Sequence, residues 1–296
     1  MKLIRILTLL TIFYSCNAQP KLPPLIVSKN DNSLLWEVSG NGVSQSSYLF
    51  GTFHLMCKND IHFSSQLTAA VSRSEKVYME MDMDDPATML GGLLLMNMKD
   101  GKTLQQLYTA DEYKRLDNYF RDSLHTSLSF LKSMKPFFLQ ALLYPKMMPC
   151  KTISGVEEEL IKIVKLEKKE IKGLETMEFQ ASVFDSIPYE EQAKELLKSI
   201  DSMAANKNNF DTMMNVYKSQ HINEIENLFS KSEAGVLDHE DLLLNNRNKN
   251  WVAQLKTIMK TRPVFVAVGA GHLVGKQGLI ALLRKEGYIV KPLQNQ

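Results

Sequence analysis

Two short segments near opposite ends of the chain share one plan, and that plan restricts the folds open to it. In the first, Tyr48-Leu49-Phe50 is a short apolar strand running directly into Gly51-Thr52-Phe53-His54. A helical stretch follows, Ser64 to Ser74, with Leu67, Ala70 and Val71 at helical spacing. Lys76 to Met83 then reads as a strand, with Val77, Met79 and Met81 alternating against Tyr78, Glu80 and Asp82. In the second, Val264 to Val268 is a strand of buried type leading into Gly269-Ala270-Gly271-His272. A helix from about Gln277 to Lys285, ended by Gly287, and a last strand, Tyr288-Ile289-Val290, complete it. Strand, Gly-x-x-His, helix, strand is the plan of a βαβ unit, for which a right-handed crossover is expected. Open α/β sheets form their sites just beyond the carboxyl ends of strands, and both histidines fall there. The expected fold class is therefore α/β (mixed α+β), with a central sheet made by the N- and C-terminal units. If the units share that sheet, His54 and His272 face one another.

Between the units the sequence reads as a large helical insertion, from about 87 to 260. Thr103 to Arg121 opens with a capping residue and carries Leu104, Leu107, Tyr113, Leu116 and Tyr119 along one side. Phe137 to Leu143, Val156 to Val164, Tyr189 to Met203, Phe210 to Tyr217, Ile222 to Phe229, Leu237 to Leu244 and Trp251 to Met259 are further helices, punctuated by Pro136, Pro145, Pro149 and Pro188. The charged run Lys165 to Lys172 reads as the solvated edge of a helix and a short strand. No low-complexity linker interrupts the chain, so residues 19–296 read as one domain.

Residues 1–18 read as a signal peptide: Lys2 and Arg5, then apolar Ile6 to Tyr14, then the small residues before Gln19. The apolar run falls short of the about 20 residues a permanent span needs. Cleavage after Ala18 is the preferred reading. Lipidation on Cys16 is the lesser one, because Phe13-Tyr14-Ser15 is a poor lipobox. No later stretch is long and apolar enough to cross a membrane. The protein is therefore expected outside the cytoplasm, periplasmic or extracellular. A formal net charge of +2 gives no electrostatic case for nucleic acid. The abundant methionines lie among Leu and Phe at helical spacing and read as flexible core filler. Beyond the signal, Cys57 and Cys150 have two readings, a disulfide or two unrelated thiols, which spacing does not separate.

A histidine near neutral pH binds a metal or shuttles a proton, and a glycine three residues earlier permits close backbone approach. One Gly-x-x-His is a weak signal; two, each directly after an apolar strand, are stronger. His62, His125, His221 and His239 lie in helices or polar loops and read as structural. Glu80, opposite Val77 and Met79 on its strand, supplies a carboxylate. Two histidines and a carboxylate leave an open position for water on a metal, the usual hydrolytic arrangement. Asp82 is a further candidate ligand or base, although with Asp84 and Asp85 it also reads as a solvated acidic strand end.

Leu35-Trp36-Glu37-Val38, Tyr48-Leu49-Phe50-Gly51-Thr52-Phe53-His54-Leu55 and Val77-Tyr78-Met79-Glu80-Met81-Asp82 resemble the opening of the TraB/GumN family. Phe265-Val266-Ala267-Val268-Gly269-Ala270-Gly271-His272-Leu273, with Gly278-Leu279 and Gly287-Tyr288, resembles its ending. Gly173-Leu174-Glu175-Thr176, Gln180, Arg247-Asn248 and Trp251 resemble its middle, while Glu157 after Gly155-Val156 stands where an aspartate is expected. The family is related to the Tiki proteins, regarded as metal-dependent proteases, and more distantly to erythromycin-esterase-like and ChaN-like proteins. The resemblance implies His54, Glu80 and His272 at a metal or catalytic centre, with motif glycines Gly51, Gly269 and Gly271. It implies Glu175, Gln180 and Arg247 along the same cleft. Arg247 has two readings, a fork for a substrate carboxylate or oxyanion, or a structural ion pair with Glu175.

The preferred expectation is an exported metal-dependent hydrolase acting on a peptide, with a divalent manganese, cobalt or zinc ion on His54, Glu80 and His272. Glu175 and Asp82 are candidates for its base. The alternatives are a metal-independent esterase-type hydrolase with His54 as base and Glu80 orienting it, or a binding protein for a peptide, haem or metal.

Overall fold

The computed structural model describes residues 22–85, 91–92, 94–231 and 239–296; the expected signal peptide and the start of the expected Leu237 to Leu244 helix lie outside them. The expected α/β class is what is found. The strands are β1 (Leu35–Gly40), β2 (Ser47–Thr52), β3 (Met56–Cys57), β4 (Lys76–Met79), β5 (Ile153–Ser154), β6 (Glu170–Gly173), β7 (Val264–Gly269) and β8 (Tyr288–Pro292). Six of them form one sheet in the order β6-β4-β7-β2-β1-β8. β7 pairs in parallel with both β2 and β4, β4 pairs in parallel with β6, and β1 is antiparallel to β2 and β8. The two terminal units thus interleave: the first strand of the C-terminal unit lies between the two strands of the N-terminal one.

The helices are α1 (Ser65–Arg73), α2 (Ala110–Leu124), α3 (Pro136–Ala141), α4 (Tyr144–Met147), α5 (Val156–Leu166), α6 (Met177–Asp185), α7 (Tyr189–Asp201), α8 (Met203–Ser219), α9 (Ile222–Lys231), α10 (Asn246–Thr261) and α11 (Leu279–Lys285). Both faces of the sheet are covered. Val77, Met79, Phe50, Phe265 and Ala267 pack with Leu67, Ala70 and Val71 of α1 and Val156, Leu160 and Val164 of α5. Val264, Val266, Val268 and Leu49 face the other way, onto Trp251, Val252, Leu255 and Met259 of α10 and Leu279 and Leu283 of α11. Burial on two faces explains why β2 and β7 read as near-continuous apolar runs instead of alternating. A further core, with Leu116, Phe120, Leu128, Leu139, Leu196 and Phe210, holds the helical insertion together.

Three local expectations change. The helix expected from Thr103 to Arg121 is split, because Thr103 and Thr109 each form a capping box, with Gln106 and Glu112, and each restarts the chain. The strand expected to reach Met83 ends at Met79. There the chain crosses Gly173, where a Cβ would lie 2.8 Å from Asp82 N and 2.6 Å from Glu175 O. The span expected as a helical insertion is interrupted, because the short strand expected within Lys165 to Lys172 is β6 and joins the edge of the central sheet. Cys57 and Cys150 form a disulfide with Cα atoms 5.8 Å apart, beside the pairing of β3 with β5. Among the described residues, no helix is long and apolar enough to cross a membrane.

Candidate active site

Four neighbouring parallel strands, β6, β4, β7 and β2, end at one edge of the sheet, and the candidate residues leave the sheet there. Thr52 and Gly269 are paired across β2 and β7. His54 follows the first, and the second opens the tight turn Ala270–His272. That turn packs onto Gly51, where a Cβ would meet Leu273 Cδ1 at 3.0 Å and Ala270 Cα at 3.1 Å. Here the motif glycine serves close approach. Gly271 is buried within the turn. Glu80 leaves the end of β4 and Glu175 the end of β6, joined by a Glu175 N–H bond to Glu80 O of 2.9 Å.

Arg247, on the first turn of α10, gathers the cluster. Its Nε donates to both oxygens of Glu175 at 3.1 and 3.0 Å, and its Nη2 donates to Glu175 Oε2 at 2.8 Å and Glu80 Oε2 at 2.7 Å. Its Nη1 donates to Leu243 O at 3.0 Å and faces His272 Nε2 at 3.3 Å. Leu243 lies in the π-helical turn Asp241–Asn245 that leads into α10. The five N–H groups of a guanidinium are thus all engaged by the chain itself. The guanidinium also stacks over Trp251, 4.8 Å from the ring centre. The ion pair with Glu175 is therefore present, and the fork has no donor left to offer a substrate.

Glu80 is nearly enclosed. Its Oε1 accepts from Gly269 N–H at 2.9 Å, and its Oε2 accepts from Gln180 Nε2 at 3.1 Å as well as from Arg247. Burial pushes this carboxyl up, but His272, Arg247, His54 and the Gly269 N–H together outweigh it and hold the group down to about 2. His272 is buried and packs against Trp251 with ring centres 4.4 Å apart. Asn248 donates through Nδ2 to Gln277 O at 2.9 Å, which turns its Oδ1 to His272 Nδ1 at 2.7 Å. His272 accordingly carries its proton on Nδ1 and keeps a lone pair on Nε2. Burial, opposed by Glu80 and reinforced by Arg247 and His54, pushes it down to about 4.

His54 behaves in the opposite way. Its side chain is 79% exposed, and its Nδ1 pairs with Glu157 Oε1 at 2.8 Å. Glu157, in the first turn of α5, also accepts from Thr52 Oγ1 at 2.6 Å. The bond to Glu157, with the added fields of Glu157 and Glu80, lifts His54 to about 9. Gly155 makes this approach possible, since a Cβ there would lie 2.8 Å from His54 O. This edge of the sheet thus carries one histidine raised and one lowered from the ordinary value.

The structure therefore brings Glu80, Glu175, Gln180, Arg247 and His272 into one hydrogen-bonded cluster, with His54 beside it on its own partner. The sequence reading assigned no role to Glu157, Thr52 or Asn248. The first stood out only as a glutamate where an aspartate was expected, and the last only as the neighbour of Arg247. Asp82 Oδ1 is buried without a hydrogen-bond partner. Its carboxyl is pushed up by burial and by Asp84.

The expected metal set does not fit a bound ion as arranged. Glu80 Oε1 and His272 Nε2 face one another at 3.8 Å, but Arg247 donates to both side chains and His54 turns to Glu157. Among the described residues, no group of three or more His, Cys, Asp and Glu side chains is disposed to hold a metal ion.

Similar proteins agree with the sequence resemblance. A protein of Danio rerio named Metalloprotease TIKI2 is 22% identical over 329 aligned residues, covering 90% of this chain and 62% of its own length. One of Xenopus tropicalis with the same name is 30% identical over 109 residues, covering 36% of this chain and 19% of its own length. The chain thus spans less than two thirds of the length of these relatives. No solved structure matches. The TraB/PrgY/gumN family matches residues 34–292, from the start of the sheet to its last strand, and the chain belongs to that family.

Proposed function

We propose that the chain is an exported hydrolase, and within that class a peptidase, acting at the carboxyl edge of β2, β7, β4 and β6. The observation that carries this reading is the opposed pairing of the two histidines: His54 Nδ1 meets the Glu157 carboxylate at 2.8 Å, which raises it, and buried His272 meets the Asn248 amide oxygen at 2.7 Å, with burial lowering it. Environments that drive neighbouring titratable groups apart are how a single site keeps acid and base forms at one pH. The charged His54, 79% exposed, hydrogen-bonds a carbonyl oxygen through Nε2–H as water adds to the carbonyl carbon. It gives that proton to the leaving nitrogen as the C–N bond breaks, and is recharged by the proton the added water loses. Glu157 and Thr52 fix its ring. Glu80, Gln180, Glu175 and Arg247 form the buried wall that holds His272. The esterase-type alternative, with His54 as base and Glu80 orienting it, is not favoured, because Glu157 occupies the orienting position and keeps the ring charged.

The relatives' printed name supports a peptide substrate and a metal requirement. The disulfide supports export, since such bonds persist in oxidising compartments. The test is cleavage of a mixed peptide library by the purified chain, read by mass spectrometry, with divalent ions and after chelation. Products are expected from the wild type, with a loss of roughly 100-fold or more in His54→Gln, on the scale of a general acid. Tight peptide or haem binding by folded protein without any product would favour a binding protein instead.

A further inference from the structure

The metal set expected from the sequence does not fit a bound ion because a guanidinium already joins Glu80 to His272. Arg247 Nη2 donates to Glu80 Oε2 at 2.7 Å, and its Nη1 lies 3.3 Å from His272 Nε2. Asn248, 2.7 Å from Nδ1 on the far side of the ring, turns the Nε2 lone pair towards that donor. Both oxygens of Glu80 are taken. Its Oε1 accepts from Gly269 N–H at 2.9 Å, and its Oε2 accepts from Gln180 at 3.1 Å as well as from Arg247. The cation is itself built in. Three bonds to Glu175 and one to Leu243 O fix the guanidinium, which lies 4.8 Å from the ring centre of Trp251. A forked guanidinium–carboxylate pair is set in geometry as well as in charge, and arginine stays charged in proteins. Arg247, Glu80 and Glu175 are all largely buried. Without the guanidinium, Glu80 and Glu175 would be left as neighbouring buried carboxylates, which is strongly unfavourable.

We propose that Arg247 is the resident cation of this site, holding Glu80 and His272 together in place of an ion, so that the chain works there without a divalent metal. Its use rests on the hydrolase reading; the position of Arg247 does not. In this role Arg247 is a positioning residue, since its donors are spent on the chain and none reaches a substrate.

Calorimetric titration of the purified chain with Mn2+ and with Zn2+, beside elemental analysis of its metal content, tests it. No ion should bind through the site, so any heat seen with wild type should be the same in Glu80→Gln and His272→Asn. Peptide cleavage by wild type should be unchanged after exhaustive chelation and on adding back either ion. Arg247→Gln should melt about 10 °C below wild type, with Arg247→Lys, charged but without the fork, between them. Neither variant should be restored by Mn2+ or Zn2+. Stoichiometric ion binding by wild type that is lost in Glu80→Gln or His272→Asn overturns the proposal. So does cleavage that stops on chelation and returns with either ion, or an Arg247→Gln as stable as wild type. Should Arg247→Gln fail to fold, the titrations of wild type against Glu80→Gln and His272→Asn decide alone. The two readings fail separately. No cleavage under any condition, with no ion bound through the site, defeats the hydrolase reading alone. Cleavage by a chain that binds an ion through Glu80 or His272 defeats this proposal alone.

Discussion

His54 and His272 occupy equivalent places beyond neighbouring parallel strands, yet their partners give them opposite chemistry. A carboxylate on Nδ1 makes His54 an acid, whereas an amide oxygen on Nδ1 and an apolar ring face keep His272 neutral. Removing the carboxylate is therefore the sharpest single change. In Glu157→Gln the His54 proton affinity should fall from about 9 towards the ordinary value of 6.5. Because the acid form is the active one, kcat/KM falls as pH rises through the folded-state value. The variant's alkaline limb should move down by up to about 2.5 pH units. At pH 8 the loss should be about 30-fold, with little change near pH 5.5. An unchanged alkaline limb would show that Glu157 is merely structural. The histidines themselves were legible because glycine and strand patterning are local. Glu157 was not, because its meaning lies in a contact with the Thr52 turn 105 residues away.

At the scale of elements, the site depends on four strands ending together and on the turns that follow them. Gly173 shapes one of these turns. Replacing it with alanine places a Cβ against two backbone atoms that cannot yield like a flexible side chain. Gly173→Ala should destabilise by roughly 1–3 kcal/mol and loosen Glu80 and Glu175 together, measured by denaturant unfolding and by activity. The disulfide ties β3, just after His54, to the segment leading into Glu157, across a sequence separation of 93. Cys57→Ser with Cys150→Ser should lower stability by about 2–4 kcal/mol, and it should weaken the His54 bond to Glu157 more than the Arg247 cluster. A variant of wild-type stability would contradict this. Periodicity revealed most of the helices, since each repeats its apolar face along its own length. It could not reveal that β7 lies between β2 and β4, or that β6 joins them, because strand order is set by packing between distant segments. The capping boxes at Thr103 and Thr109 were present in the sequence but were outweighed by the apolar stripe that runs through both.

For the whole molecule, these partners make stability depend on pH from both sides. His272 is held below its ordinary value, so the unfolded chain takes up its proton first and stability falls as pH drops from 6.5 towards 4. Glu80, held down to about 2, adds a further loss below pH 4.5. His54 is raised, so its contribution is complete below pH 6.5 and is lost as pH rises through about 9. The melting temperature should therefore peak near pH 6.5. The acid slope should be the steeper, because His272 and Glu80 are buried while His54 is exposed and screened by solvent. In His272→Asn the slope between pH 6.5 and 4 should flatten, as followed by thermal melts across that range. The measurement that bears most directly on the account is a pH titration of the imidazole nitrogens by NMR with 15N-labelled histidine. His54 should remain doubly protonated until about pH 9, and His272 should stay a neutral Nδ1–H tautomer from pH 8 down to about 4. A His54 titrating near 6.5, or a His272 protonated on Nε2 at neutral pH, would contradict it.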